Sequence, residues 1–191
     1  MTLQERIDSY HKATGFPRSL MIGGDSRIVG IWIMGNNYQR AADYYGAYPH
    51  GYLRRVRALF PDAGNVLHLF SGKVETAEFP GDTVDVNPEL NPTYIDDIQS
   101  LRRVPVEDYD LFLADPPYSV EDAERYQTTM IKRNKVMDTL GRRCKPKSIV
   151  IWLDQVLPMF RKIDWEIIGL IGMMKSTNHR FRMVTIFQHR N

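Results

Sequence analysis

The spacing of apolar positions changes character near Asn65. Before it, Leu3, Ile7 and Tyr10 recur at helical intervals with charges between them, which predicts an amphipathic helix over residues 2–13 that stops at Gly15-Phe16-Pro17. Leu20-Met21-Ile22 and Ile28–Met34 then flank Gly23-Gly24-Asp25-Ser26 and read as a hairpin or as two irregular strands. A loop rich in rings, amides and glycines follows, Gly35-Asn36-Asn37-Tyr38 and Tyr44–Gly51. Tyr52–Phe60 reads as a basic helix with Leu53, Val56 and Phe60 inward and Arg54, Arg55 and Arg57 outward, closed by Pro61.

From Asn65 onward strands alternate with helical stretches, the pattern of a parallel sheet. The expected strands are Val66–Phe70, Thr83–Val86, a short Thr93–Asp97, residues 109–114 and Ser148–Leu153. Between the last two, Val120–Arg143 reads as a long helix that begins acidic at Glu121, Asp122 and Glu124 and ends basic at Arg142 and Arg143, matching its macrodipole. A short helical turn to Lys162 comes next, then Trp165–Met174 and Arg182–Gln188 as a hairpin around Ser176–Arg180. With no repeat, low-complexity tract or long linker, residues 1–191 read as one domain: an N-terminal extension over 1–60 and an α/β core over 61–191.

Composition narrows the setting. No stretch approaches the ~18 apolar residues of a membrane span, and the first residues lack a secretory apolar segment, so a cytoplasmic protein without a membrane partner is expected. One cysteine, Cys144, excludes an intrachain disulfide, and no Cys/His cluster has zinc spacing, so no metal is expected. Cys144 lies between Arg143 and Lys145, but reads as an incidental thiol. A net charge of only +2 means that any nucleic-acid binding must come from local clusters such as Arg54-Arg55-Arg57, Lys132-Arg133-Lys135 and Arg180–Arg182.

The chemistry points to one stretch, Tyr109–Tyr118. An apolar strand there ends in Asp115-Pro116-Pro117-Tyr118. The prolines have no N–H and a fixed φ, which holds Ala114 and Asp115 extended and leaves a rigid ledge of acceptors beside a ring. Such a ledge suits a planar substrate with an exocyclic amine, which the Asp115 carboxylate and the Pro116 carbonyl would accept while Tyr118 stacks on its face. Asp-Pro-Pro-Tyr resembles motif IV of the S-adenosylmethionine-dependent amino-methyltransferases, best known in DNA adenine-N6 enzymes, and the chain from 115 to 190 resembles small phage-associated members.

That resemblance implies a Rossmann-like class I methyltransferase fold, a mostly parallel seven-stranded sheet with a C-terminal antiparallel hairpin. It implies Asp115, Pro116, Pro117 and Tyr118 as catalytic, with S-adenosylmethionine as cofactor. Phe70-Ser71-Gly72 is similar to motif I, whose glycine lets backbone approach the cofactor, although Lys73 and Val74 stand where a second glycine is usual. Asp85 takes the place of the acid that bonds the ribose hydroxyls, yet follows Gly72 by thirteen positions, against ~20 in a full crossover, so the first helix must be very short or absent. Asp96 or Asp97 would face the adenine amine. Tyr45 and Tyr48 lie in the loop that, by its placement, would cover the methionine end of the cofactor, which Asp115 also borders.

At the substrate side, Tyr118 would stack on a flipped base, with Asn178 and His179 near it and Arg180 near a phosphate. The expected partner is nucleic acid, DNA ahead of RNA. Since no large target-recognition insertion is present, specificity would come from residues 1–60, from a second subunit of a homodimer or another partner, or not at all. The alternatives are the same chemistry on RNA, at adenine N6 or guanine N2, and a catalytically degenerate partner subunit. Protein glutamine methylation fits less well, because Asn usually stands where Asp115 does.

Overall fold

The structure, a computed structural model, describes residues 1–35, 48–118, 130–176 and 181–190. Tyr45, Asn178, His179 and Arg180 lie outside these residues, as does most of the first half of the expected helix over 120–143.

The chain opens with helix α1 (Leu3–Thr14), where Thr2 and Glu5 form a reciprocal capping box and Gly15, at φ 61°, ends the helix in the left-handed conformation. Strands β1 (Leu20–Ile22) and β2 (Ile28–Met34) form the hairpin, and α2 (Tyr52–Leu59) follows. The core strands are β3 (Val66–Leu69), β4 (Asp82–Asp85), β5 (Tyr94–Ile95), β6 (Leu111–Ala114) and β7 (Ile149–Asp154), with helix α3 (Arg133–Arg143) before β7. The long strands β8 (Trp165–Lys175) and β9 (Phe181–His189) close the chain.

The nine strands of the described residues join one sheet in the order β1-β2-β8-β9-β7-β6-β3-β4-β5. Pairing is parallel from β5 through β4, β3 and β6 to β7, and antiparallel where β9 inserts between β7 and β8. The expected seven strands are present, but the sheet does not stop there: β2 lies parallel to β8 from Ile28↔Gly169 to Met34↔Lys175, so the N-terminal hairpin is part of the sheet. Apolar side chains on β2 and β8 hold it there. Ile28, Trp32 and Met34 face a core shared with Ile171, Met173 and helices α1 and α2. The other face of the sheet packs Leu67, Leu69, Phe112, Val150 and Trp152 against α3 and the segment around Ile98–Tyr109. β6 is buried along its whole length, as a central parallel strand must be.

Three sequence-based expectations need correction. First, the stretch expected as one helix is interrupted: residues 130–132 are not helical, Lys132 is extended (φ −87°, ψ 95°) with its N–H taken by the Gln99 side chain, and α3 starts at Arg133, while the expected acidic start at Glu121, Asp122 and Glu124 lies outside the described residues. Second, Arg161 and Asp164 pair in a turn, but the described chain between β7 and β8 forms no helix, so the turn expected up to Lys162 is irregular. Third, Arg55 does not face outward. It is 7% exposed, its guanidinium lies 3.9 Å over the Phe16 ring, and it donates to the Tyr10 hydroxyl at 2.9 Å and the Ile33 carbonyl at 3.1 Å. The aromatic and apolar neighbours on α1 and β2 make that face of α2 a better place for a planar cation than helical charge spacing alone suggests.

Arg55 thus ties α1, α2 and β2 together. Its removal strands the Ile33 carbonyl and empties the space over Phe16, so Arg55→Ala is expected to lower unfolding free energy by about 3 kcal/mol, whereas exposed Arg54→Ala changes it by less than ~0.5 kcal/mol in urea denaturation.

Candidate active site

Register brings the chemistry to one rim of the sheet. Leu69 pairs with Ala114 and Ala114 with Trp152, so the chain leaving β3, the Asp115 ledge and the end of β7 lie side by side. Asp154 pairs with Met183, which adds the start of β9 to the same rim. Strand β3 is also where the strand order reverses, with β4 and β5 on one side and β6 and β7 on the other. The crevice beyond the carboxyl ends of strands at such a reversal is where open α/β sheets bind ligands.

The ledge closes on itself. Pro116 and Pro117 are buried, Asp115 and Tyr118 partly so. The Tyr118 hydroxyl donates to Asp115 Oδ1, and the Arg182 guanidinium lies 4.5 Å over the Tyr118 ring. Burial pushes the Asp115 carboxyl up to about 6, against the opposing pull of Arg182 and the Tyr118 hydrogen bond; the Asp154 charge adds to the rise and Lys175 subtracts from it. Burial and the Asp115 carboxylate raise the Tyr118 phenol well above its usual value, so it acts as a donor. The acceptor expected to meet a substrate amine is therefore held by a phenol.

Beneath the ledge is an ion pair. Asp154, 1% exposed, accepts from Arg133 Nε at 2.6 Å and Nη2 at 3.2 Å, from Trp152 Nε1 at 3.0 Å and from the Gln155 amide at 2.7 Å. Arg133 Nη2 also reaches the Pro117 carbonyl at 3.4 Å. The first residue of α3 thereby links the end of β7 to the double proline. On the opposite side of the sheet, Tyr48 and Tyr52 stack with centroids 5.3 Å apart, and the Tyr48 hydroxyl donates to the Leu113 carbonyl at 3.3 Å. Burial, with Asp115 contributing, raises both phenols and keeps them neutral.

The β3–β4 turn contains no helix. Phe70 takes φ +56° and packs its ring edge-on against Trp152 at 6.3 Å, and Gly72 takes φ +50°. A left-handed phenylalanine costs on the order of 1 kcal/mol or more, and such strain clusters at functional turns. The Gly72 amide donates to Asp85 Oδ2 at 3.0 Å and the Asn87 amide to Oδ1 at 3.0 Å, so Asp85 organises the turn that a helix would otherwise form. Each oxygen keeps a lone pair for a further donor. Ser71 is 2% exposed and its hydroxyl has no partner among the described residues, an unusual state for a buried polar group.

At the end of β5, the Asp96 carboxylate accepts from the Asp97 amide at 2.8 Å and the Arg103 amide at 2.6 Å, and the Asp96 amide donates to the Asp85 carbonyl at 3.1 Å. Asp97 is exposed and caps the next turn through Gln99 N at 3.0 Å. Asp96 thus lies next to Asp85, and Asp97 does not converge on the crevice. A small cavity of about 30 Å³ separates Tyr48, Pro49 and Leu53 from Val74, Glu75 and Glu78 of the β3–β4 turn.

Sequence reasoning placed Arg133 and Arg182 in basic clusters without assigning them to the rim, and did not assign Lys175 or Asp154 to the site. Asp154 carried a signal as an acid ending a wholly apolar strand, and Arg182 by its place at the start of β9. Cys144 is buried and its thiol is pushed up to about 12 by burial, an inert group. Among the described residues, no three His, Cys, Asp or Glu side chains gather to hold a metal, and no helix is long and apolar enough to cross a membrane.

The Asp115 titration gives a signed test. Its folded value near 6 lies above the 3.8 of an ordinary aspartate, so the folded protein binds the extra proton. Stability is full below the unfolded value and is lost as pH rises through about 6. Asp115→Asn is expected to stabilise the protein by about 1–3 kcal/mol at pH 8 and by nothing at pH 3, read from thermal unfolding at both pH values.

No protein-family model matches the chain, and no curated protein matches it. Among solved structures it is similar to TrmN from Thermus thermophilus (15% identity, 65% of this chain and 43% of that one, TM-score 0.48). It is also similar to the N-methyltransferase NodS from Bradyrhizobium japonicum WM9 (11% identity, 74% and 94%, TM-score 0.47) and to SMU.776, crystallised with SAH (15% identity, 70% and 49%, TM-score 0.43). The chain thus spans less than half the length of TrmN.

Proposed function

We propose that this protein is an S-adenosylmethionine-dependent N-methyltransferase acting on the exocyclic amine of a nucleobase, with adenine N6 in DNA favoured over an RNA base. The observation that carries the reading is the Asp115-Pro116-Pro117-Tyr118 ledge, set at the strand-order reversal one residue past the Ala114↔Leu69 pair and beside the Ser71-Gly72 turn.

The residues around that turn fit the cofactor. The buried Ser71 hydroxyl, without a partner among the described residues, could meet a ligand atom, the Gly72 turn brings backbone close, and Asp85 retains one free lone-pair direction on each oxygen for ribose hydroxyls. Asp96, beside Asp85, stands near where an adenine amine would lie, and Tyr48 borders the strand end beneath Asp115. The bound cofactor supplies an electrophilic methyl on sulfonium.

The rest of the task belongs to the ledge. An aryl amine is a weak nucleophile because its lone pair is conjugated. Two hydrogen bonds from that amine, to the Asp115 carboxylate and the Pro116 carbonyl, favour the pyramidal form and direct the lone pair along the line of displacement. Good alignment is worth on the order of 7–11 kcal/mol. Asp115 must be ionised to accept, so the rate falls as pH drops through about 6. The Tyr118 hydroxyl engages one oxygen of Asp115, which leaves the carboxylate capacity to accept from the amine, and release of that hydroxyl frees the phenol ring to stack on the base.

Calorimetric titration with S-adenosylmethionine tests the cofactor half, and transfer of a tritiated methyl group to DNA and to RNA tests the substrate half. Asp85→Ala is expected to weaken cofactor binding at least ~10-fold. Asp115→Ala is expected to abolish methyl transfer while cofactor affinity stays within about threefold. Absence of binding at millimolar cofactor, or equal loss of both properties in Asp115→Ala, rules against these roles.

A further inference from the structure

We infer that Lys175 and Arg182 form an anion subsite that takes the phosphate of the nucleotide whose base sits on the ledge, making the substrate a nucleotide unit rather than a free base, a nucleoside or a protein amide. The inference rests on the ledge reading proposed above.

Register places the two cations together. Met173 of β8 pairs with Arg182 of β9, and side chains two residues apart on a strand share a face. Lys175 therefore lies on the same face as Arg182, diagonally across neighbouring strands, where long side chains meet. That face is the one carrying Ile171, Met173 and the α2 core, on which Tyr48 and Tyr52 also lie.

The charges around them do not balance. Arg133 is committed to Asp154 by two hydrogen bonds. Arg182 rests on the Tyr118 ring, whose hydroxyl is bound to Asp115, and Lys175 has no ion pair among the described residues. Among the described residues, two cations thus share one carboxylate, an excess of one positive charge beside a half-buried ledge. Burial and Arg182 lower the Lys175 ammonium, while Asp115 opposes the shift, so the pair is mutually repulsive until an anion arrives. A phosphodiester carries one negative charge and presents the oxygen geometry that a guanidinium fork and an ammonium match. A free base or a glutamine amide brings no negative charge to this pair.

The test is calorimetry on the full chain with 2′-deoxyadenosine and with deoxyadenosine 5′-monophosphate, at low and high salt. The monophosphate is expected to bind about tenfold more tightly at low salt, and the ratio to shrink as salt rises. In Lys175→Gln and in Arg182→Gln the ratio falls to about one, and Lys175→Arg restores it. A ratio of one in the wild type, or one undiminished in Lys175→Gln, overturns the subsite. If neither compound binds, the ledge reading has failed on its own; titration with inorganic phosphate then decides the subsite, upheld if wild type binds and Lys175→Gln does not, overturned otherwise.

Discussion

A buried carboxylate at the end of β7 must be paired or protonated, and the pairing of Asp154 with Arg133 sets the geometry of the rim. Arg133 is the first residue of α3, so the ion pair fixes where that helix begins; its second contact, to the Pro117 carbonyl, fixes where the double proline ends. The indole of Trp152 and the Gln155 amide fill the remaining acceptor positions. The ledge is therefore held from below by a polar network and from above by its own tyrosine. The Asp154 charge adds less to the rise of Asp115 than burial does, and the Asp115 carboxyl is held near 6, where its charge can change close to neutral pH.

The β3–β4 turn works without a helix. In a full crossover, amides at a helix N-terminus would point into the crevice. Here the amides of Gly72 and Asn87 point at Asp85, and the carboxylate substitutes for missing helical partners. One side chain thus organises the turn and, under the proposed function, would also meet the ligand, joining local folding to recognition more tightly than a longer crossover would.

The part of the fold legible in the sequence is the part determined by local pattern. The run Leu111–Ala114 before two prolines, the apolar Val66–Leu69 and the strand ending in Asp154 were visible because fully buried parallel strands leave short continuous apolar runs. The brief spacing from Gly72 to Asp85 foretold the missing helix. What escaped depends on distant partners. Helical spacing sent Arg55 outward because Phe16, Trp32 and Ile33, which receive it, lie on other elements. Arg133 read as one member of a basic cluster because its carboxylate is on the next strand, 21 residues away. The hairpin β1–β2 was visible as a hairpin, but nothing local to it indicated β8 as its neighbour.

That neighbour has a consequence for the order in which the chain assembles. Ile28 pairs with Gly169, and Arg27 donates to the Ile167 carbonyl across 140 residues. During synthesis β2, with Ile31 and Ile33 on one face and Trp32 and Met34 on the other, is made well before β8, with which it pairs. Closing so long a loop is entropically costly, so the β1–β2 hairpin, whose own pairing is local, is expected to dock on β8 after the shorter-range pairings have formed. Until it docks on β8, the apolar edge of β2 stays unpaired, and an open edge of that kind invites intermolecular pairing.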